Sequence, residues 1–203
     1  MDSEIDDLVR RLIRLEDEIE MKLDAQRANF QYRLEKNRAV FEESAIRQHK
    51  LIKTRLMTFL RRSPLVALIV APPIYGLVVP LAFLDLGVYV FQLVCFPAWG
   101  MKRVRRSDYV IVDRHRLAYL NAIEKLNCAY CGYANGVIAY AREAASRTEQ
   151  YWCPIKHALR VRAPHRRYRA FVDYGDAGGF RSRLDELRKQ ARADQETESA
   201  KPH

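Results

Sequence analysis

From Pro64 to Trp99 the chain reads PLVALIVAPPIYGLVVPLAFLDLGVYVFQLVCFPAW, and Asp85 is its one side chain charged at neutral pH. Such a run is solvated poorly by water, and its length marks it for a bilayer. A single pass takes about 20 residues, so the run is too long for one straight helix and just long enough for two short ones. Arg47, Lys50, Lys53, Arg55, Arg61 and Arg62 precede it, and Lys102, Arg103, Arg105 and Arg106 follow it. Basic residues stay on the cytoplasmic side, so two basic flanks call for an even number of crossings. Pro72, Pro73, Gly76 and Pro80 offer the breaks. The sequence therefore predicts a helical membrane hairpin over 63–100, turning between Pro72 and Pro80, with Tyr75, Tyr89 and Trp99 near the interfaces. Two such arms barely span, so a re-entrant dip stays open beside a full crossing. The implied setting is the cell inner membrane with both termini cytoplasmic.

Asp85 falls inside this run. An acid at membrane depth is costly and is a candidate for proton or cation handling. A helix cap at the turn, or contact with another subunit, explains it as well. The sequence gives it no basic partner within the apolar run.

The net charge of +10 invites a nucleic-acid reading, but the first turns are acidic and the positive excess brackets the apolar run or falls between Arg160 and Arg169. Charge placed this way fits anionic lipid headgroups better than nucleic acid. The acidic N-terminus is not that of a secretory signal. Four cysteines in 203 residues do not make a disulfide scaffold; thiols or metal ligands are the readings left.

Between Ile5 and Leu60 there is no Pro and no Gly, and Leu, Glu, Arg, Lys, Gln and Ala dominate. This is helical composition. Ile5, Leu8, Leu12, Leu15 and Ile19 recur at steps of three and four, as in a coiled-coil seam. Two series then run at intervals of eleven, Leu8–Ile19–Phe30–Phe41–Ile52 and Leu12–Leu23–Leu34–Ala45–Leu56. That period gives a nearly straight coil. A third line, Leu15, Gln26, Asn37, Gln48 and Phe59, puts carboxamides in the seam, where they can set register. Residues 1–62 are thus expected to form a coiled-coil stalk that pairs with itself or with a protein partner. A single helix lying on the chain's own C-terminal part is the alternative.

Residues 101–175 read as a cytoplasmic helical module. Tyr109–Val112 could be a short strand; Arg114–Tyr130 and Val137–Tyr151 read as helices separated by Gly132 and the Asn135-Gly136 turn signal. A short helix and a polar tail complete 176–203. The expected fold class is all-α: a long N-terminal coiled-coil helix, a membrane hairpin and a small helical module.

Cys128, Cys131, Cys153 and His157 are the residues that attract chemistry. Three thiolates and an imidazole suit tetrahedral zinc in a closed, structural site. They meet only if the second helix ends near Ser146 and the chain doubles back, or if subunits share the site. An antiparallel helical hairpin would instead gather His115, Glu149, Cys153 and His157. Thiols buried as small apolar groups need no metal at all. Cys128-x-x-Cys131 lacks the βαβ context of a redox motif. The basic run of Arg160, Arg162, His165, Arg166, Arg167 and Arg169, with Tyr168, suits lipid headgroups or solvent more than nucleic acid.

The blocks NCAYCGYANG and RTEQYWCPIKH resemble those of a group of uncharacterised bacterial membrane proteins. The resemblance spans residues 105–175 and implies a bacterial inner-membrane setting, with no activity attached. The expected function is a membrane-anchored, cytoplasm-facing scaffold or assembly protein with a structural metal site; the other reading is a membrane-associated redox or metal-dependent enzyme using the Cys/His cluster.

Overall fold

The computed structural model describes residues 2–27, 32–35 and 38–193. The fold is all-α. Its helices are α1 (Asp2–Arg27), α2 (Glu43–Leu51), α3 (Leu56–Arg62), α4 (Leu65–Gly76), α5 (Val78–Ala98), α6 (Ala122–Trp152) and α7 (Ala177–Ala193). Among the described residues the only sheet is a ribbon of β1 (Tyr32–Glu35) and β2 (Arg38–Phe41), paired antiparallel from Tyr32↔Phe41 to Glu35↔Arg38.

The expected unbroken helix from Ile5 to Leu60 is therefore corrected. The 26-residue α1 carries the first part, supported by Asp7–Arg11 and Glu18–Lys22 ion pairs at i,i+4. The ribbon then interrupts the helix where Tyr32, Val40 and Phe41 favour extended chain. Freedom from Pro and Gly permits a helix without compelling one. Phe30 and Asn37 of the eleven-residue series lie outside the described residues. Within α1, Leu8, Leu15, Ile19 and Leu23 of the seam are exposed to solvent.

The apolar run does not form a hairpin. α4 and α5 are separated by Leu77 alone, whose φ of −64° and ψ of −14° are helical. A reversal needs several non-helical residues, and here there is none. Pro72 and Pro73 sit inside α4, removing intrahelical hydrogen bonds without turning the chain. Pro80 occupies the first turn of α5, where a missing N–H costs little. Leu65–Ala98 is thus one helical run of 34 residues, long and apolar enough to cross a membrane, and about 50 Å in length.

α6 is likewise continuous over 31 residues, passing straight through Gly132, Asn135 and Gly136. It begins at a capping box: Asn121 Oδ1 accepts from the Ile123 and Glu124 amides at 3.0 Å, and the Asn121 amide donates to Glu124 Oε2 at 2.8 Å. The expected turn at 132–136 and the helix starting at Arg114 are both corrected. Asn135 donates back to the Cys131 carbonyl at 2.9 Å, within the helix.

α5 and α6 run side by side in the same direction. Tyr75 meets Tyr130, Asp85 meets Tyr133, Gln92 meets Tyr140, and Trp99 stacks on Tyr151. Two parallel neighbours need a connection that returns the full length of the pair, and Gly100–Asn121 supplies it as a strap. The strap runs back past Gln92 at Val104, past Asp85 at Arg106, and past Gly136 and Gly132 at Tyr109–Val112. Tyr109–Val112 forms no strand, and Tyr109 closes a turn with φ −112° and ψ −43°. A Cβ on Gly136 would lie 2.7 Å from the Tyr109 carbonyl oxygen, and one on Gly132 would lie 2.9 Å from that of Ile111. The two glycines are a notch for the strap.

Phe96, Met101, Val104, Tyr140, Ala144 and Ala191 form the core where α5, the strap, α6 and α7 converge. Beyond α6 the chain loops back on itself: the Val172 amide donates to the Pro154 carbonyl at 2.9 Å and the Lys156 amide to the Val172 carbonyl at 2.7 Å.

Candidate functional site: an apolar face backed by a polar seam

The sides of α4–α5 differ in chemistry. Leu81, Asp85, Val88, Gln92, Phe96 and Trp99, at steps of three and four, make the stripe turned to α6 and the strap. The remaining surface is apolar and uncovered: Ile69 is 74%, Phe83 70% and Val94 64% exposed. None of the most apolar stretch of the run is buried. Fully burying one such side chain stabilises by about 1.5–3 kcal/mol, so an uncovered face this long is an interaction surface.

The seam holds the polar atoms of the run. Arg106 reaches back from the strap and grips Asp85 with both arms of its fork, Nε to Oδ1 at 2.9 Å and Nη2 to Oδ2 at 2.7 Å. Tyr133 Oη donates to Asp85 Oδ2 at 3.2 Å. The charge of Asp85 is thus met by a bidentate partner, which the apolar run itself could not provide. One helical step further, Gln92 is fully buried; its Nε2 donates to Tyr140 Oη at 2.8 Å, and its Oε1 accepts the Val104 amide at 2.7 Å. At the start of the pair Tyr75 Oη hydrogen-bonds Asn127 Oδ1. Tyr75, Asp85 and Gln92 each fix one point of α6 or of the strap.

A second polar cluster closes the C-terminal loop. Glu143 accepts from Arg147 Nε at 2.7 Å and from Arg167 Nη1 at 2.8 Å, and all three side chains are largely buried. Burial alone would push the Glu143 carboxyl up, but Arg167 and Arg147 outweigh it and hold the group below its ordinary value. His165 Nε2 lies 2.8 Å from Glu149 Oε2, and its ring packs edge-on to Tyr168 and Phe171. The basic run of 160–169 therefore splits. Arg167 and His165 turn inward as staples, while Arg160, Arg162 and Arg169 remain exposed.

The Cys/His residues are not brought together. Cys128 is half-buried, and Cys131 and Cys153 are exposed. Cys131 lies on the body of the continuous α6 and Cys153 caps its end, about 33 Å apart at the helical rise. His157 stacks on Tyr168, and its amide donates to Tyr168 Oη at 2.7 Å. His115 sits in the strap beyond Val112, toward the start of α6, while Glu149 lies near the other end and is taken by His165. The first expected set required a helix ending near Ser146 or a site shared between subunits, and the second a hairpin turn at 132–136; within one chain the continuous α6 provides neither the early end nor the turn. Among the described residues no group of three or more His, Cys, Asp or Glu side chains is placed to hold a metal ion.

The strap escaped the sequence reading, although a signal was present. Asp85 and Gln92 are seven residues apart, which puts the acid and the carboxamide of the run on one helical face. That face must meet polar partners, and the nearest supply is the basic flank after Trp99.

No family model matches the chain, and no curated protein or solved structure is similar to it.

Proposed function

We propose that the protein is a membrane-anchored scaffold that faces the cytoplasm, attached through α4–α5 and presenting α1 and the C-terminal module to partners. The observation that carries this reading is the uncovered apolar surface of Leu65–Ala98 beside a seam whose every polar group is matched. A soluble protein would cover the first. Acyl chains do so without any specific contact.

The cations on both sides of the run favour anionic lipid headgroups and a cytoplasmic location for both termini, and the resemblance of the two Cys-containing blocks favours a bacterial inner membrane. The exposed seam of α1 supports pairing with a second copy or another helical protein. The enzyme reading has no comparable support, because Cys128, Cys131, Cys153 and His157 do not converge within the chain.

Fractionation of expressing cells tests the proposal. The protein is expected in the membrane pellet, resistant to high salt and released only by detergent. Recovery of the full chain in the supernatant without detergent overturns it.

A further inference from the structure

We propose that α4–α5 lies along the plane of the bilayer within one leaflet, rather than crossing it, with the strap and α6 on the headgroup side; this rests on the membrane attachment proposed above. Three independent features lead there. Arg61 and Arg62 end α3 at one end of the run, and Lys102, Arg103 and Arg105 follow the other. A helix that crosses once sends these two groups to opposite sides, against the positive-inside tendency. Because the chain does not reverse at 72–80, two crossings are not open to it. A helix lying flat leaves both groups on one side.

The second feature is the strap. Non-helical backbone is not tolerated in contact with hydrocarbon, yet Val104, Arg106 and Tyr109–Val112 run along the middle of the helix pair. Arg106 remains 44% exposed beside Asp85. Carrying α5 through the bilayer would carry this chain with it.

The third feature is α6, which accompanies α4–α5 from Tyr75 to Trp99 and bears Glu124, Lys125 and Arg142. Charges at the centre of a bilayer are costly. In the flat arrangement they stay in water, while Ile69, Phe83 and Val94 enter the acyl region. Arg103 and Arg105, exposed on the strap, then stand at the level of lipid phosphates. The occupant of the apolar face is accordingly an anionic leaflet.

Inverted membrane vesicles from expressing cells, treated with trypsin, test the placement on the unaltered protein. A flat helix leaves both flanks open, so one fragment bounded by Arg62 and Lys102 is expected to survive and both flanking segments to be digested. Protection of either flank until detergent is added overturns the proposal. Spin labels at Ile69→Cys, Phe83→Cys and Val94→Cys, in a background with Ser at the native cysteines, read depth in vesicles containing phosphatidylglycerol. Equal depths are expected. A gradient between 69 and 94 approaching the roughly 37 Å of helical rise overturns the proposal, as does an arrangement in which the ends are shallow and 83 is deep. A detergent-free dimer whose three labels contact their counterparts assigns the face to a second copy and overturns it too. Failure to pellet with membranes is a separate result, since it removes the anchoring itself.

Discussion

The inner and outer sides of α5 are made from the same stretch of sequence and obey different rules. On the inner side single atoms matter: Gln92 donates to the Tyr140 hydroxyl and accepts from the Val104 amide, and Gly136 leaves room for a carbonyl oxygen and no more. On the outer side Leu, Val, Ile and Phe follow one another with no fixed neighbour. A packed protein interior discriminates by shape and hydrogen bonding. A lipid-like phase discriminates by polarity alone. Substitutions that a hydropathy scale ranks one way should therefore have opposite effects on the two sides.

The strongest break of the comparison is Gly136→Leu. Leucine is a better helix former than glycine by roughly 1 kcal/mol, so an isolated α6 would gain. Here its Cβ would fall 2.7 Å from the Tyr109 carbonyl oxygen and the Val110 Cα, both backbone atoms with nowhere to retreat. Overpacking costs about 1–3 kcal/mol and sometimes more, so with a cost at the upper end and that propensity gain set against it, a net loss of about 2 kcal/mol or more is expected in denaturant melts in mild detergent. An unchanged midpoint would show that the strap does not need the notch.

Next comes Gln92→Leu, which makes the run more apolar and should favour insertion by any hydropathy measure. It orphans the Val104 amide and the Tyr140 hydroxyl, both buried. Unsatisfied buried groups cost about 1–3 kcal/mol each, so a loss of about 2 kcal/mol is expected, together with faster amide exchange at Val104. A gain in stability would mean that the seam is merely another greasy surface.

The Glu143 cluster sharpens the inner side through pH. Its carboxyl is lowered on folding by Arg167 and Arg147, so its contribution is complete above the ordinary carboxylate value and fades as pH falls through the lowered one. A charge-assisted bond of this kind is worth about 2 kcal/mol. The protection of the 153–172 loop against hydrogen exchange, corrected for the intrinsic rate at each pH, is expected to hold from pH 7 down to the ordinary carboxylate range and to fall below it, and Glu143→Gln to flatten that dependence. A dependence of the same size in the variant would assign it to other groups.

On the outer side, Phe83→Ser should leave the folded core untouched, since the side chain is exposed. Its effect belongs to the membrane: vesicle affinity is expected to weaken by roughly 1–2 kcal/mol of transfer free energy, while Phe83→Leu stays close to the native protein. A drop in the melting temperature in detergent would place Phe83 in a protein contact.

How much of this was legible follows from what each side asks of its residues. The all-α class and the limits of the apolar run could be read because composition and hydropathy are local and additive. Pro72, Pro73, Pro80, Gly132 and Gly136 were read as breakers, yet each lies within a helix, and Gly76 ends α4 without reversing the chain. Glycine in a helix signals either a stop or a close approach, and only the neighbour decides; for Gly136 the neighbour is twenty-six or more residues away in the strap. The same holds for Asp85, whose partner Arg106 was counted only as a topogenic charge. The Cys/His cluster was assembled from motif spacing, and a continuous α6 keeps its members apart within one chain. The staples Arg167 and His165 could not be told from their exposed neighbours Arg166 and Arg169 by sequence, because inward and outward positions in the short turn of 166–170 have no fixed period.

The smallest expected effect lies at the loop that closes over α6. Ala163 has a φ of 50°, and its carbonyl accepts from Arg142 Nη2 at 2.5 Å. A left-handed alanine costs about 1 kcal/mol, and glycine removes that cost while giving back part of it through the freedom of the unfolded chain. Ala163→Gly is therefore expected to stabilise by a few tenths of a kcal/mol at most, visible as slower exchange in 153–172 with no change in vesicle affinity. If it destabilises instead, the bend is being held by more than the Arg142 contact. If it alters membrane binding, the loop belongs to the outer side, and the division between the two sides of α5 stops short of the C-terminal module.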